Sequence, residues 1–140
     1  MSRPSICYGM RHVALFVRDM AACERFYVNL IGMEVEWRPD ERNVYLTSGG
    51  DNLALHQADT GHVRDEAAQR LDHIGFMMRD AEDVDAWYEW LRANGVRMRT
   101  EPRTHRDGAR SFYCYDPDGT HVQIIHHPPV SEWERLGGIG

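Results

Sequence analysis

The chain has 140 residues, 42% apolar and 27% charged, with a formal net charge of −6. That length builds one compact domain with a real core and no disulfide staples, and the acidic balance argues against nucleic acid, whose phosphates call for a basic face. No apolar run approaches the ~20 residues of a spanning helix, the start lacks the apolar stretch of a signal peptide, and three scattered cysteines (Cys7, Cys23, Cys114) form neither a disulfide framework nor a zinc site, as expected of reduced thiols in a cytoplasmic protein.

In chain order, HVALFV (12–17) is a short apolar run of β-compatible residues and reads as a strand. Asp19 stands where a helix N-cap would, and Gly32 ends that helix after YVNLI. Strands follow at roughly EVEWR (34–38), NVYLT (43–47) and NLALHQ (52–57), the last two separated by the turn SGGD. The polar segment 58–70 reads as a linker with a short helix. HIGFMM (73–78) is the next strand and Asp80 the next N-cap. Val84, Trp87, Tyr88 and Leu91 then recur at helical spacing up to Gly95. VRMRT (96–100), RSFYCY (110–115) and HVQIIH (121–126) complete the strands, with DPDGT turning between the last two. The tail, 128–140, starts with two prolines and ends in glycines, which predicts a loose extension anchored by Trp133.

This order is one unit written twice. His12 falls on His73, Arg18 on Arg79 and Asp19 on Asp80 at a constant shift of 61, and Phe26-Tyr27 then falls on Trp87-Tyr88 and Leu30 on Leu91. Two loop-sized gaps carry the match to Gly32 with Gly95 and Gly50 with Gly119. The fold expected is α+β: two tandem β-α-β-β-β modules, about 9–57 and 71–127, forming a curved mixed sheet around a central cavity.

Alternation along the strands sorts the side chains. Val13, Leu15 and Val17 share one face of the first strand, leaving His12, Ala14 and Phe16 on the other. In its twin, Ile74, Phe76 and Met78 oppose His73, Gly75 and Met77. A lone histidine on an apolar strand is commonly a hydrogen-bonded core residue. Two at equivalent positions, each beside a small residue, point to a ligand role. In the last strand Val122 and Ile124 take the helix side, so His121, Gln123 and Ile125 face the cavity. Gln123 has Ala54 as its twin, and His56 lies one step beyond Ala54, about 6–7 Å along the strand. His12, His73 and Gln123 form an open site for a divalent metal, with His56 nearby. His62, His126 and His127 receive no role.

With HVALFVRDM and FYVNLIGMEV in the first half, and LDHIGFMMRD, WLRANGV and SFYCYDPDGTHVQI in the second, residues 9–127 resemble the vicinal oxygen chelate superfamily. This is the group of glyoxalase I, bleomycin-resistance proteins and extradiol dioxygenases. The resemblance implies paired modules enclosing a metal, held by a histidine on the first strand, a histidine on the fifth and a carboxylate on the eighth. Those positions are His12, His73 and Gln123 here, and the further ligand of glyoxalase-type members falls at Ala54. Glutamine in place of glutamate brings no charge, which disfavours an iron(II) dioxygenase. The resemblance also implies Zn, Ni, Mn or Fe as the ion, His56 as the base that isomerisation needs or as an extra ligand if its strand is bulged, and a homodimer as the assembly, with the partner subunit completing the cavity in some members.

The function expected is a metal-dependent enzyme, of lyase or isomerase type, binding a small substrate through two oxygens. The alternatives are a non-catalytic binding or resistance protein for an aromatic or apolar ligand, and an extradiol-type dioxygenase or thiol transferase. Phe16, Trp37, Tyr113 and Tyr115 are the expected walls, and His105 and Arg110 the expected contacts to an anionic substrate. Of these classes the thiol transferases also share a likeness with NVYLTSGGDNLALHQ.

Overall fold

The structure, a computed structural model, describes residues 1–2, 10–68 and 71–135, with only the backbone of 133–135. Cys7, and the side chain of Trp133 that was expected to anchor the tail, lie outside the described residues. The chain divides into two compact units that part after Asp59, and each carries one four-stranded mixed sheet with its own helices.

In the first unit the strands are β1 (His12–Val17), β2 (Glu34–Asp40), β3 (Asn43–Thr47) and β4 (Asn52–Gln57), in the order β1-β4-β3-β2. β1 runs parallel to β4, and the remaining pairs are antiparallel. Helix α1 (Met20–Glu24) begins at Asp19, whose Oδ1 accepts the Ala22 N–H at 3.0 Å. It widens into a π-helical turn over Arg25–Leu30. A regular α-helix was the expectation; the wider turn lets consecutive Phe26 and Tyr27 both reach the core, edge-on to each other at 4.9 Å. Gly32, at φ 97°, ends it in a conformation other residues avoid. The core lies between these helical turns and the face of Leu15, Val17, Val44, Leu46, Leu53 and Leu55. β2 is exposed along its length and carries Pro39 and alternating charges, which protect a sheet edge from pairing with other chains.

The second unit repeats the plan with β5 (Ile74–Met77), β6 (Arg103–Thr104), β7 (Arg110–Tyr115) and β8 (His121–His126), in the order β5-β8-β7-β6. Helix α2 (Ala81–Ala93) opens on a capping box of Asp80 and Asp83 and packs Val84 and Leu91 onto Phe112, Cys114, Val122 and Ile124. Burial pushes the Cys114 thiol up to about 12, so it stays protonated and unreactive.

Two elements depart from expectation. The strand expected over 96–100 is reduced to a single bridge, Met98 to Cys114, and pairing resumes only at β6. Pro102 lies between, without the N–H a ladder requires. The described part of the tail is not loose: Pro128–Arg135 forms helix α3. Proline is well suited to a first helical position. The Ser131 hydroxyl accepts the His127 N–H at 3.2 Å and donates to the Met78 carbonyl at 2.8 Å, tying α3 to the end of β5. Among the described residues no helix is long and apolar enough to cross a membrane.

Arg110 points to the helix side of β7, where it makes a two-pronged ion pair with Asp85 of α2 at 2.8 and 2.7 Å. That bond, above all, holds the Asp85 carboxyl below the usual range. Stabilisation from a depressed carboxyl is present above its unfolded value, about pH 4, and is lost as pH falls through the folded one. Urea curves of wild type and Arg110→Met should therefore differ at pH 7, by no more than about 1 kcal/mol for so exposed a pair, and converge as Asp85 protonates.

Candidate functional site

Each sheet has one face packed on its helices and one open face. The parities read from the sequence hold in both units. On β1, Leu15 and Val17 are buried while His12, Ala14 and Phe16 are exposed; on β5, Gly75 and Met77 are exposed. Strand register makes the open faces equivalent position by position. Ala14 pairs with Ala54 and Tyr45 with Ala54; Gly75 pairs with Gln123 and Tyr113 with Gln123. Ala54 and Gln123 thus hold the same place in the two repeats, as do Tyr45 and Tyr113.

In the first unit His12 pairs across the strands with Asn52, and its Nδ1 lies 2.7 Å from Asn52 Oδ1. The Asn52 amide nitrogen donates to Glu36 Oε2 at 3.1 Å. A carboxylate only accepts, so the amide is oriented with its oxygen toward the ring, and His12 must carry its proton on Nδ1. Nε2 is left as a lone pair.

The second unit reaches the same state by a shorter route. His73, one residue before β5, has its Nδ1 at 2.7 Å from Asp72 Oδ2. The Asp72 carboxyl is lowered by this hydrogen bond, so it remains a charged acceptor at neutral pH. With Nδ1 as the donor, Nε2 is again the lone-pair nitrogen of the neutral ring. Gly75 leaves space in front of Gln123: a Cβ built there would come within 3.6 Å of Gln123 Oε1. Tyr113 stands edge-on to His73 at 5.1 Å.

Metal-bound histidines generally carry such an outer hydrogen bond to an oxygen acceptor, which fixes the tautomer and orients the ring. The donors therefore suit a divalent ion of borderline character. Each imidazole offers Nε2, and a carboxamide oxygen is available at the place a carboxylate would hold. Among the described residues no three His, Cys, Asp or Glu groups converge as ligands; glutamine lies outside those types.

His56 lies on the open face of β4 and pairs with Phe16 of β1 and Asn43 of β3. The β1–β4 register runs unshifted from His12 to Val17, so no bulge draws His56 toward His12. Four positions separate the two levels, about 13 Å of strand. Phe16, 68% exposed, and Tyr45 flank the His56 ring at 5.8 and 6.0 Å. Trp37, 56% exposed, stacks on Tyr45 at 5.1 Å.

Of the other expected contacts, Tyr115 is edge-on to His121 at 5.0 Å beneath the Arg97 guanidinium at 4.0 Å. His105 is exposed in the turn between β6 and β7, its N–H donating to the Ala109 carbonyl at 2.8 Å. Arg110 is engaged by Asp85 on the opposite side of the sheet from Tyr113. The basic groups that do share the open face are Arg97, Arg99 and His121, with Arg99 at 3.5 Å from His121 Nδ1. Sequence reasoning missed these, together with Asn43, Tyr45 and Asn52. The repeat as aligned through Gly50 and Gly119 lays Tyr45 on Cys114, so its equivalence to Tyr113 appears only in the strand register.

The sequence profile of the Glyoxalase/Bleomycin resistance protein/Dioxygenase superfamily matches residues 9–124. The metallothiol transferase FosB of Staphylococcus haemolyticus is 30% identical over 117 residues, 83% of this chain and 81% of that one. Among solved structures, the genomically encoded fosfomycin resistance protein FosX of Listeria monocytogenes aligns with a TM-score of 0.71 at 23% identity, covering 93% of this chain and 99% of that one. A lactoylglutathione lyase from Agrobacterium tumefaciens aligns at 0.69 and 24% identity, covering 84% and 92%. These two likenesses are of fold.

Proposed function

Since the chain belongs to the Glyoxalase/Bleomycin resistance protein/Dioxygenase superfamily, we propose that it is a metal-dependent enzyme acting on a small oxygen-bearing substrate. The transfer of a thiol, as named for its FosB relatives, is the chemistry favoured. The observation that carries this reading is the matched state of His12 and His73. Each is held at Nδ1 by an oxygen acceptor and has Nε2 free, on an open face beside a residue too small to fill it.

His12, His73 and Gln123 are the residues that would hold the ion. Once bound, it supplies a Lewis acid that orients two substrate oxygens and stabilises negative charge on them. Two neutral imidazoles and a carboxamide leave the ion's charge uncompensated, which favours anionic oxygens over neutral ones. Tyr113 braces the His73 ring, and Phe16, Tyr45 and Trp37 offer aromatic surface that excludes water around an apolar part of the substrate. A homodimer is inferred with the same reading.

The test is elemental analysis after loading with zinc, nickel, manganese and iron(II) in turn. About one ion per chain is expected. If none of the four is retained, the reading fails. Saturable quenching of tryptophan fluorescence by an aromatic ligand, in protein without metal, would then favour a binding protein.

A further inference from the structure

We propose that Asn43 and Asp40 are positioning residues that hold His56 as its Nδ1–H tautomer, presenting Nε2 on the open face of the first unit as acceptor for a proton of bound substrate. The proposed metal-dependent function supplies the substrate; the geometry of the relay stands apart from it.

Which atoms can donate decides the tautomer. Both oxygens of Asp40 take the Asn43 amide nitrogen, at 2.8 and 3.0 Å. Asp40 is itself fixed by the Arg42 N–H at 2.8 Å. This backbone bond first, and the Asn43 amide second, hold its carboxyl below the ordinary range, so it stays an acceptor at neutral pH. With its nitrogen so committed, Asn43 turns its carbonyl oxygen to His56, whose Nδ1 lies 2.5 Å away. That ring nitrogen must be the one with hydrogen. A free imidazole in water prefers the opposite tautomer, so the relay inverts the intrinsic preference.

The relay spans β2, β3 and β4, and Asn43 and His56 are direct cross-strand partners. Two other ionisable groups lie nearby. Tyr45 is edge-on to the ring, and the Arg42 guanidinium is engaged by Asp59 and the Gln57 carbonyl, each at 3.1 Å. The proton step is simple: an S–H or O–H bond of the bound molecule breaks, its electron pair stays on sulfur or oxygen, and the proton joins Nε2. The imidazolium that results keeps its Nδ1–H bond to Asn43. The register sets where this happens. His56 stands one same-face step beyond Ala54, so the proton given up lies about 6–7 Å along the strand from groups level with Ala54.

The experiment is nitrogen-15 NMR of the histidine rings in the intact, metal-free protein, with the His56 signals assigned by their loss in His56→Gln. His56 should show a protonated Nδ1 and a bare Nε2. Asp40→Asn, which touches no atom of the ring, should shift it toward the Nε2–H form. It should also slow carbethoxylation of His56 by diethyl pyrocarbonate several-fold, with an unchanged circular dichroism spectrum. Asn43→Ala should do the same without the neighbouring acid being altered. An Nε2–H ring in the wild type overturns the proposal, as does a tautomer and a carbethoxylation rate indifferent to Asp40→Asn. Metal uptake is read separately: a bare Nε2 in protein that takes no ion would leave the relay standing and remove the metal-dependent function.

Discussion

His73→Ala protein should bind a divalent ion at least about 100-fold more weakly than the wild type and lose it on a desalting column. A smaller change at the same ligand sets the scale. Removing only the outer hydrogen-bond partner of a metal-bound histidine typically weakens binding by about 10–100-fold, and removing the ligand costs more. Asp72→Ala provides that smaller change within the same pair, because Asp72 Oδ2 is what orients the ring. The Asp72 side chain is 83% exposed, so water replaces it in part and the loss should fall near the low end. His12→Ala should match His73→Ala, the two being equivalent in the repeat. Gln123→Glu should act in the opposite direction and tighten binding, because it restores a charge at the third position. Isothermal titration with zinc reads all four. A His73→Ala protein that binds as tightly as the wild type would remove His73 from the ligand set.

The second large effect concerns the fold beneath that site. Phe112→Ala should destabilise the second unit by about 3–5 kcal/mol, the usual cost of truncating a fully buried aromatic side chain. Phe112 is 0% exposed, stands edge-on to Tyr88 of α2 at 5.3 Å, and pairs through β7 with Ile124 of β8. Its loss leaves a void bounded by backbone on the sheet side, which cannot collapse far. Trp90, larger but 49% exposed on the outer side of α2, is the control: Trp90→Ala should cost less than about 1 kcal/mol. Urea denaturation checks both, with the shift expected in the midpoint rather than the slope.

The strands and the repeat were legible in the sequence because both are local patterns. HVALFV, NVYLT, NLALHQ, RSFYCY and HVQIIH are each a strand by composition and alternation alone, and the histidine twins share a constant shift. What escaped depends on partners distant in the chain. Asn52 matters because β1 lies parallel to β4 in one register, and nothing near His12 announces this. Asp40 fell between two expected strands and Asn43 opened the second of them, NVYLT, with no role; only the antiparallel register turns Asn43 toward His56. Arg110 was misjudged for a different reason. It shares parity with Phe112 and Cys114, both core residues, so alternation already assigned it to the helix side. The helix at 128–135 was hidden by its prolines, which break a helix when internal and begin one when first.

Both candidate ligand histidines sit at the ends of sheets. Among the described residues β1 and β5 are edge strands in their own sheets, each paired with the last strand of its repeat, whereas β2, β3 and β4 are joined by tight turns. During synthesis the hairpins of each repeat can close on themselves at once, while the strand made first must wait for the one made fourth. The segment bearing each candidate ligand is therefore expected to dock last and to detach most easily. Amide exchange in β1 should be faster than in β3, and a bound ion would slow it by fastening the strand from its open side. Assembling the site and finishing the fold become the same event.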